Sequence, residues 1–261
     1  MDSSIIELSI IQFASIYLLL ILVLAIMKKA KIDQSKLLFT ASIQMSVQLF
    51  LAGLILTYIF ENPHPIFVAI YLASMVTFST LRIMKRNQHL NPRFKKIIFF
   101  SLGGSGLSIL SFFILVVVRT DIFNPQYVIP IGGMIMGNAM NGLSLGIKTL
   151  SETMNLEKNK IETLINAGIA PKDILRPFIN QSIATALLPT LNNMLNMGII
   201  ALPGMMTGQM ISGTLPLTAI MYQSAVMIAI TTGVSLTNFF GLNLGSHTMI
   251  NSDQQIEWDY Q

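Results

Sequence analysis

Residues Lys148 to Ser182 read KTLSETMNLEKNKIETLINAGIAPKDILRPFINQS, the one long polar segment in an otherwise apolar chain. Leu156, Ile161, Leu164 and Ile165 recur at helical spacing, Gly168 supplies a stop and Pro171 a restart. The pattern predicts a helix-turn-helix with one apolar stripe and one charged face. Apolar sequence flanks it on both sides, so this hairpin would lie at a membrane surface and offer a soluble partner a place to dock.

Composition supports the membrane. The chain has 261 residues, 52% hydrophobic and only 11% charged, with mean hydropathy +0.65. Soluble domains carry about 25% charged residues. The first apolar run, Ile5 to Met27, is long enough to span and shows no cleavage site, so it is expected to stay in place. There are no cysteines, which removes disulfides, thiolate metal sites and thiol catalysis. The net charge of +4 reflects Lys and Arg gathered in loops, and no nucleic-acid partner follows from it.

Further spans are expected at Leu37 to Phe60, Ile66 to Met84, Ile97 to Val118, Tyr127 to Ile147, within Ile183 to Ile211, and at Leu217 to Phe240. Lys and Arg alternate loop by loop. Lys28, Lys29, Lys31 and Lys36 follow the first span, ENPHP after the second has none, and Arg82 to Lys96 hold six. The fold expected is an all-α polytopic membrane protein, residues 1–261 forming a single permease domain of about seven transmembrane helices. Its N-terminus lies outside; the C-terminus and the helix-turn-helix lie inside, in a cell (inner or plasma) membrane. The acidic residues of the polar tail after Asn243 (Asp253, Glu257, Asp259) weigh little in that rule. No internal repeat is present.

No span interior carries Asp, Glu, Lys, Arg or His. Glu7 and Arg82 sit at span ends, and His64, His89 and His247 in loops or tail. Proton-coupled transport uses an ionisable group at depth, so that mechanism is disfavoured. Nor is there a phosphate-binding loop, since Gly146-Ile147-Lys148-Thr149 mimics only its end. The chain is therefore expected to be neither an ATPase nor an enzyme and to hold no cofactor. ATP and Mg would belong to a separate subunit.

Polar residues do occur at depth. Gln44 and Gln48 share one face of the second span and would either bridge helices or line a path. The fourth span carries Gly103, Gly104 and Gly106 among serines, a seam for close helix approach. The fifth, IPIGGMIMGNAMNGLSLG, contains the pairs Gly133/Gly137 and Gly142/Gly146 with Asn138 and Asn141 between. The sixth, LLPTLNNMLNMGIIALPGMMTGQMISG, places Asn192 and Asn196 one turn apart and is interrupted at Pro203-Gly204. Met205, Met206 and Gln209 follow the interruption. Interrupted helices line transport cavities or are simple proline kinks. The methionines are soft thioether ligands or core fillers.

GMIMGNAMNGLSLGI, ETLINAGIAPKDILRPFINQSI, ALLPTLNNM and ALPGMMTGQMISG resemble the FetB-type iron-export permeases, membrane subunits of ABC transporters, over Pro130 to Phe240. The resemblance implies pairing with a separate ATPase subunit, a homodimer in membrane lipid, export of iron or another metal, and metal-stress resistance. Glu162 six residues before Gly168 partly matches the coupling loop of ABC permeases and departs from it at Thr163 and Leu164. On that basis the ATPase-coupling residues are Leu156, Ile161, Glu162, Ile165, Gly168, Pro171, Asp173, Arg176 and Pro177. The path would run along Asn138, Asn141, Asn192, Asn196, Met205, Met206 and Gln209, with Gln44 and Gln48. Iron favours carboxylate, imidazole or thiolate ligands, which no span offers. The metal ligands stay unassigned, and the cargo is either a complex or weakly held by amides and carbonyls. The layout also fits a self-sufficient secondary transporter or channel.

Overall fold

The computed structural model describes residues 9–88 and 90–251. Glu7, His89, Asp253, Glu257, Asp259 and the start of the first expected span lie outside the described residues. The helices are α1 (Ile10–Ser15), α2 (Leu18–Lys29), α3 (Ser35–Glu61), α4 (Pro65–Arg86) and α5 (Pro92–Phe112), the last prolonged by a wider turn over Phe113–Val118. They continue as α6 (Pro125–Leu156), α7 (Lys158–Asn166), α8 (Pro171–Asn196), α9 (Gly204–Ile211) and α10 (Pro216–His247). Proline opens α4, α5, α6, α8 and α10, the position where its missing N–H costs nothing. Asn91 and Asn124 cap α5 and α6, their side chains accepting from the N–H groups of Phe94 (2.7 Å) and Gln126 (3.2 Å).

Among the described residues, six segments are long and apolar enough to cross a membrane: Ile11–Lys29, Ser35–Glu61, Pro65–Arg86, Pro92–Val118, Pro125–Leu156 and Pro216–His247. The protein is a multi-pass membrane protein. Helix α8, where another span was expected, has 26 residues, about 39 Å at 1.5 Å per residue. It is long enough to cross but less apolar, with Lys172, Asp173 and Arg176 at one end and Asn192, Asn193 and Asn196 at the other.

The helix boundaries correct the sequence reading in three places. Helix α6 does not stop at Ile147 but runs nine residues into the polar segment, because Leu150 and Met154 continue its buried face. Leu156 therefore ends α6 rather than joining Ile161 on α7, and it is 85% exposed. The sixth apolar segment breaks first at Met197, before Pro203-Gly204. Gly198 has φ +86° there, and the eight-residue α9 that follows is about 12 Å long and too short to span. Helix α10 continues past Phe240 to His247, so the tail begins later than expected.

Helix α10 is the central element, packed against α5, α6, α8 and α9. Its seam with α6 is reciprocal. A Cβ at Gly142 would stand 2.7 Å from Val234, and one at Gly146 would stand 2.7 Å from the Asn238 Oδ1 and 2.9 Å from Leu242. In return, Gly233 and Gly241 of α10 receive Ile135 (2.9 Å) and Leu143 (2.8 Å) of α6. Without a hydrophobic driving force between helices in lipid, such close approach is a main source of cohesion. The other glycine pair on α6 behaves differently: a Cβ at Gly133 would meet Met75 at 3.4 Å, and one at Gly137 would have nothing within 4 Å. In α5, two of the three glycines of the expected seam make close approaches, Gly103 against Val76 of α4 and Gly106 against Met136 of α6, whereas a Cβ at Gly104 would have nothing within 4 Å.

Two apolar clusters mark the two ends of the bundle. One joins Leu90 and Phe94, Leu150 and Met154, Ile161, Leu175 and Met249. The α4–α5 loop, the end of α6, α7, the start of α8 and the end of α10 thus meet at one end, and the most basic loop lies there. Asn91 donates to the Thr248 carbonyl at 2.8 Å and fastens the same end. The other cluster joins the start of α4 (Val68), the end of α5 (Phe113, Ile114) and the starts of α6 and α10 (Val128, Val226). By contrast α2 buries no side chain and α3 only Ile59. A hydrogen bond between the Tyr17 and Ser46 hydroxyls links these two helices.

Candidate functional site

The first candidate surface is built by α7 and the start of α8. Helix α7 ends in a Schellman turn: the Gly168 N–H donates to the Ile165 carbonyl (2.9 Å) and the Ile169 N–H to that of Leu164 (3.1 Å). Gly168 has φ +78°, the left-handed region that glycine enters without steric cost. Pro171 then opens α8, and Asp173 lies in its first turn, where a carboxylate is favoured by the helix dipole.

Ile161, fully buried, anchors α7 to the core, and Pro171 is buried beside Ile174 and Leu175. Ile165 is partly buried against the same cluster. Ile161→Ala is expected to cost about 2–4 kcal/mol, read as a lowered unfolding temperature of the detergent-purified protein; an unchanged temperature would place α7 outside the cooperative fold.

Glu162, Asp173, Arg176 and Pro177 are exposed. The ion pairs here, Lys158–Glu162 (3.9 Å) and Lys160–Glu157 (3.6 Å), join mostly exposed side chains. Such pairs add little stability, which leaves their charges available to a partner. Between α6, α7 and α8 an open groove of about 460 Å³ is lined by Leu156, Lys160, Leu164, Ile169, Asp173 and Pro177 among others. Of the expected coupling residues, Leu156, Asp173 and Pro177 line this groove, Ile161 and Pro171 form its foundation, and Gly168 sets its turn.

The second candidate is the polar path. Asn138 and Asn141 lie near the middle of α6. Asn138 is partly buried and donates to the Met134 carbonyl at 2.8 Å, while Asn141 is exposed. Asn192 and Asn196 are exposed on the last turns of α8. Met206 is buried on α9 and Met205 packs against the second apolar cluster. The Gln209 Oε1 is buried without a hydrogen-bond partner among the described residues. Helices α6 and α8 pack together, and α9 packs on α10. Gln44 and Gln48 stand apart from this group, exposed on α3.

Sequence reasoning missed the polar residues of α10. Asn238 is fully buried where α6, α8 and α10 meet, with Gly142, Gly146 and Ala186 around it. Its Nδ2 donates to the Val234 carbonyl (2.9 Å), and its Oδ1 is unpartnered among the described residues, as are the Gln223 Oε1 and Thr237 Oγ1. The signal was present as Thr237-Asn238 between Gly233 and Gly241-x-x-x-Gly245, in a span whose polar residues were not singled out. Among the described residues no group of three or more His, Cys, Asp and Glu could hold a metal ion. Any ion in transit would meet amide oxygens, carbonyls and thioethers.

The family model described as "Uncharacterised protein family (UPF0014)" matches residues 10–250. UPF0014 membrane protein slr1647 of Synechocystis is 34% identical over 188 residues, 70% of this chain and 71% of that one. UPF0014 membrane protein YjkA of Bacillus subtilis is 28% identical over 227 residues, 87% and 89% of the two chains. The "Probable iron export permease protein FetB" of Escherichia coli is 27% identical over 239 residues, 92% and 91%. No solved structure matches. A match across nearly every described helix, joined to the six apolar spans, identifies this chain as a member of the UPF0014 family of membrane proteins.

Proposed function

We propose that this chain is the membrane-spanning permease subunit of an ABC transporter that exports iron or another metal, driven by a separate ATPase subunit that binds ATP and Mg. The observation that carries the reading is the groove beside α7. It presents exposed charge and apolar side chains to solvent, yet its foundation, Ile161, Ile174 and Leu175, belongs to the same cluster as Leu143, Ile147 and Leu242. A push on this surface is therefore transmitted directly to α6, α8 and α10. The name of the Escherichia coli relative supports iron export as the task.

In this reading the basic end of the bundle faces the cytoplasm and the ATPase docks on Leu156, Glu162, Asp173, Arg176 and Pro177. Motion of α8 and α6 opens a path along Asn138, Asn141, Asn192, Asn196 and Gln209 beside Met205 and Met206. The metal, as substrate, exchanges part of its hydration for amide oxygens and thioethers, a weak set that releases cargo readily. The chain itself does no chemistry.

The test is co-purification with candidate ATPase subunits in detergent. The wild-type chain is expected to hold its ATPase. Glu162→Lys, which places a third cation beside Lys158 and Lys160, is expected to weaken retention at least roughly tenfold, equivalent to about 1.4 kcal/mol, while the protein remains in the membrane. Equal retention by both would remove α7 from the interface.

A further inference from the structure

Gln44 and Gln48 occupy the middle of α3. At 1.5 Å per residue, Lys36 lies about 12 Å from Gln44 along the axis and Glu61 about 20 Å from Gln48. Both amides therefore fall inside a hydrocarbon layer about 30 Å thick. Both side chains are exposed, and neither has a hydrogen-bond partner among the described residues. The partly buried residues at this level, Ser42 and Ser46, are each two positions away, about 200° round the helix. Ser46 is also the residue bonded to Tyr17. The contacts α3 makes within its own chain thus leave the opposite side, with the two amides, uncovered.

We propose that Gln44 and Gln48 form the self-complementary centre of a contact between the α3 helices of two copies of this chain. A polar group facing lipid is costly unless paired, and a primary amide carries both donors and an acceptor. An identical amide is therefore a complete partner, which would not hold for a charged side chain. A two-fold axis along the membrane normal sets two α3 helices parallel, bringing Gln44 to Gln44 and Gln48 to Gln48 at matching depth. The rest of the stripe suits this pairing: Leu37, Ala41, Leu51 and Ile55 are apolar and exposed, and Ala41 lets the backbones approach beside the amides. The contact also supplies support that the chain lacks alone, since α2 and α3 bury one side chain between them. The permease resemblance implies a homodimer without saying which surface forms it; the assignment to this face of α3 rests only on placement in the membrane.

The chain has no cysteine, so single cysteines report contacts without background. In oxidised proteoliposomes containing the full chain, Leu51→Cys and Ile55→Cys are expected to give a cross-linked dimer, and Phe50→Cys, on another side of α3, is not. Gln44→Leu with Gln48→Leu is expected to raise the dimer dissociation constant roughly tenfold or more with the unfolding temperature of the monomer unchanged. Cross-linking at Phe50 equal to that at Leu51 would overturn the proposal. So would an unaltered dissociation constant in the double variant, or cross-linking at Asn141→Cys in place of Leu51→Cys.

Discussion

Gly146→Leu is expected to abolish recovery of folded protein from the membrane, whereas Gly137→Leu, two and a half turns back on the same helix, leaves the yield and unfolding temperature near wild type. Both glycines belong to G-x-x-x-G pairs, and by sequence alone the pairs are equivalent. The structure separates them. A Cβ at Gly146 meets the Asn238 amide at 2.7 Å and Leu242 at 2.9 Å, with Ala186 of α8 behind them at 3.4 Å, so three helices would have to part. Over-packing a seated core costs about 3 kcal/mol at the upper end of its usual range, and here it also uncovers the unpartnered Asn238 carbonyl oxygen. Gly137 has open space around it. Fluorescence-detected size exclusion of the two variants decides the matter, and equal loss from both would refute the α6–α10 seam as described.

Gly168→Val is expected to stop ATP-driven transport while leaving the protein folded, and Gly168→Asn to retain most of it. A Cβ there would meet nothing within 4 Å beyond the adjoining residues, so the effect comes from backbone conformation. At φ +78° a β-branched residue is strained by about 1–3 kcal/mol, and asparagine is the residue that best tolerates the left-handed region after glycine. If the turn opens to relieve that strain, the population of docking-competent surface falls by roughly tenfold to a hundredfold. The measurement is metal-stimulated ATP hydrolysis by the reconstituted complex. Equal activity in the valine and asparagine variants would show that the shape of the turn does not matter to coupling.

Much of this architecture is legible in the sequence because the bilayer imposes simple demands. Apolar runs of spanning length, proline starts, the Gly168 stop and the Lys/Arg alternation are local features, and the helices follow them. What escaped is non-local. Helix α6 continues past Lys148 because Leu150 and Met154 find partners on α7 and α8, which no window around Lys148 reveals. Leu156 shares the helical spacing of Ile161, yet a break at Glu157 resets the register. Asn238 was overlooked because an isolated amide, fifteen residues from Gln223 in an apolar span, looks incidental until Gly142 and Gly146 are seen to make room for it. The coupling residues lie close together in the chain, yet only Leu156, Asp173 and Pro177 line the groove beside α7, and Glu162 and Arg176 are exposed outside its lining. The path residues come from α6, α8, α9 and α3, and for Gln44 and Gln48 the spacing gave the shared face but not that the face is bare.

The permease reading is tested most directly by metal flux in proteoliposomes holding the purified chain with and without an associated ATPase subunit. Metal is expected to cross only when the ATPase and ATP are both present, and to stop when Glu162→Lys replaces the wild-type chain. Metal crossing at the same rate with this chain alone, unaffected by ATP, would contradict the account and make the protein a channel or carrier in its own right.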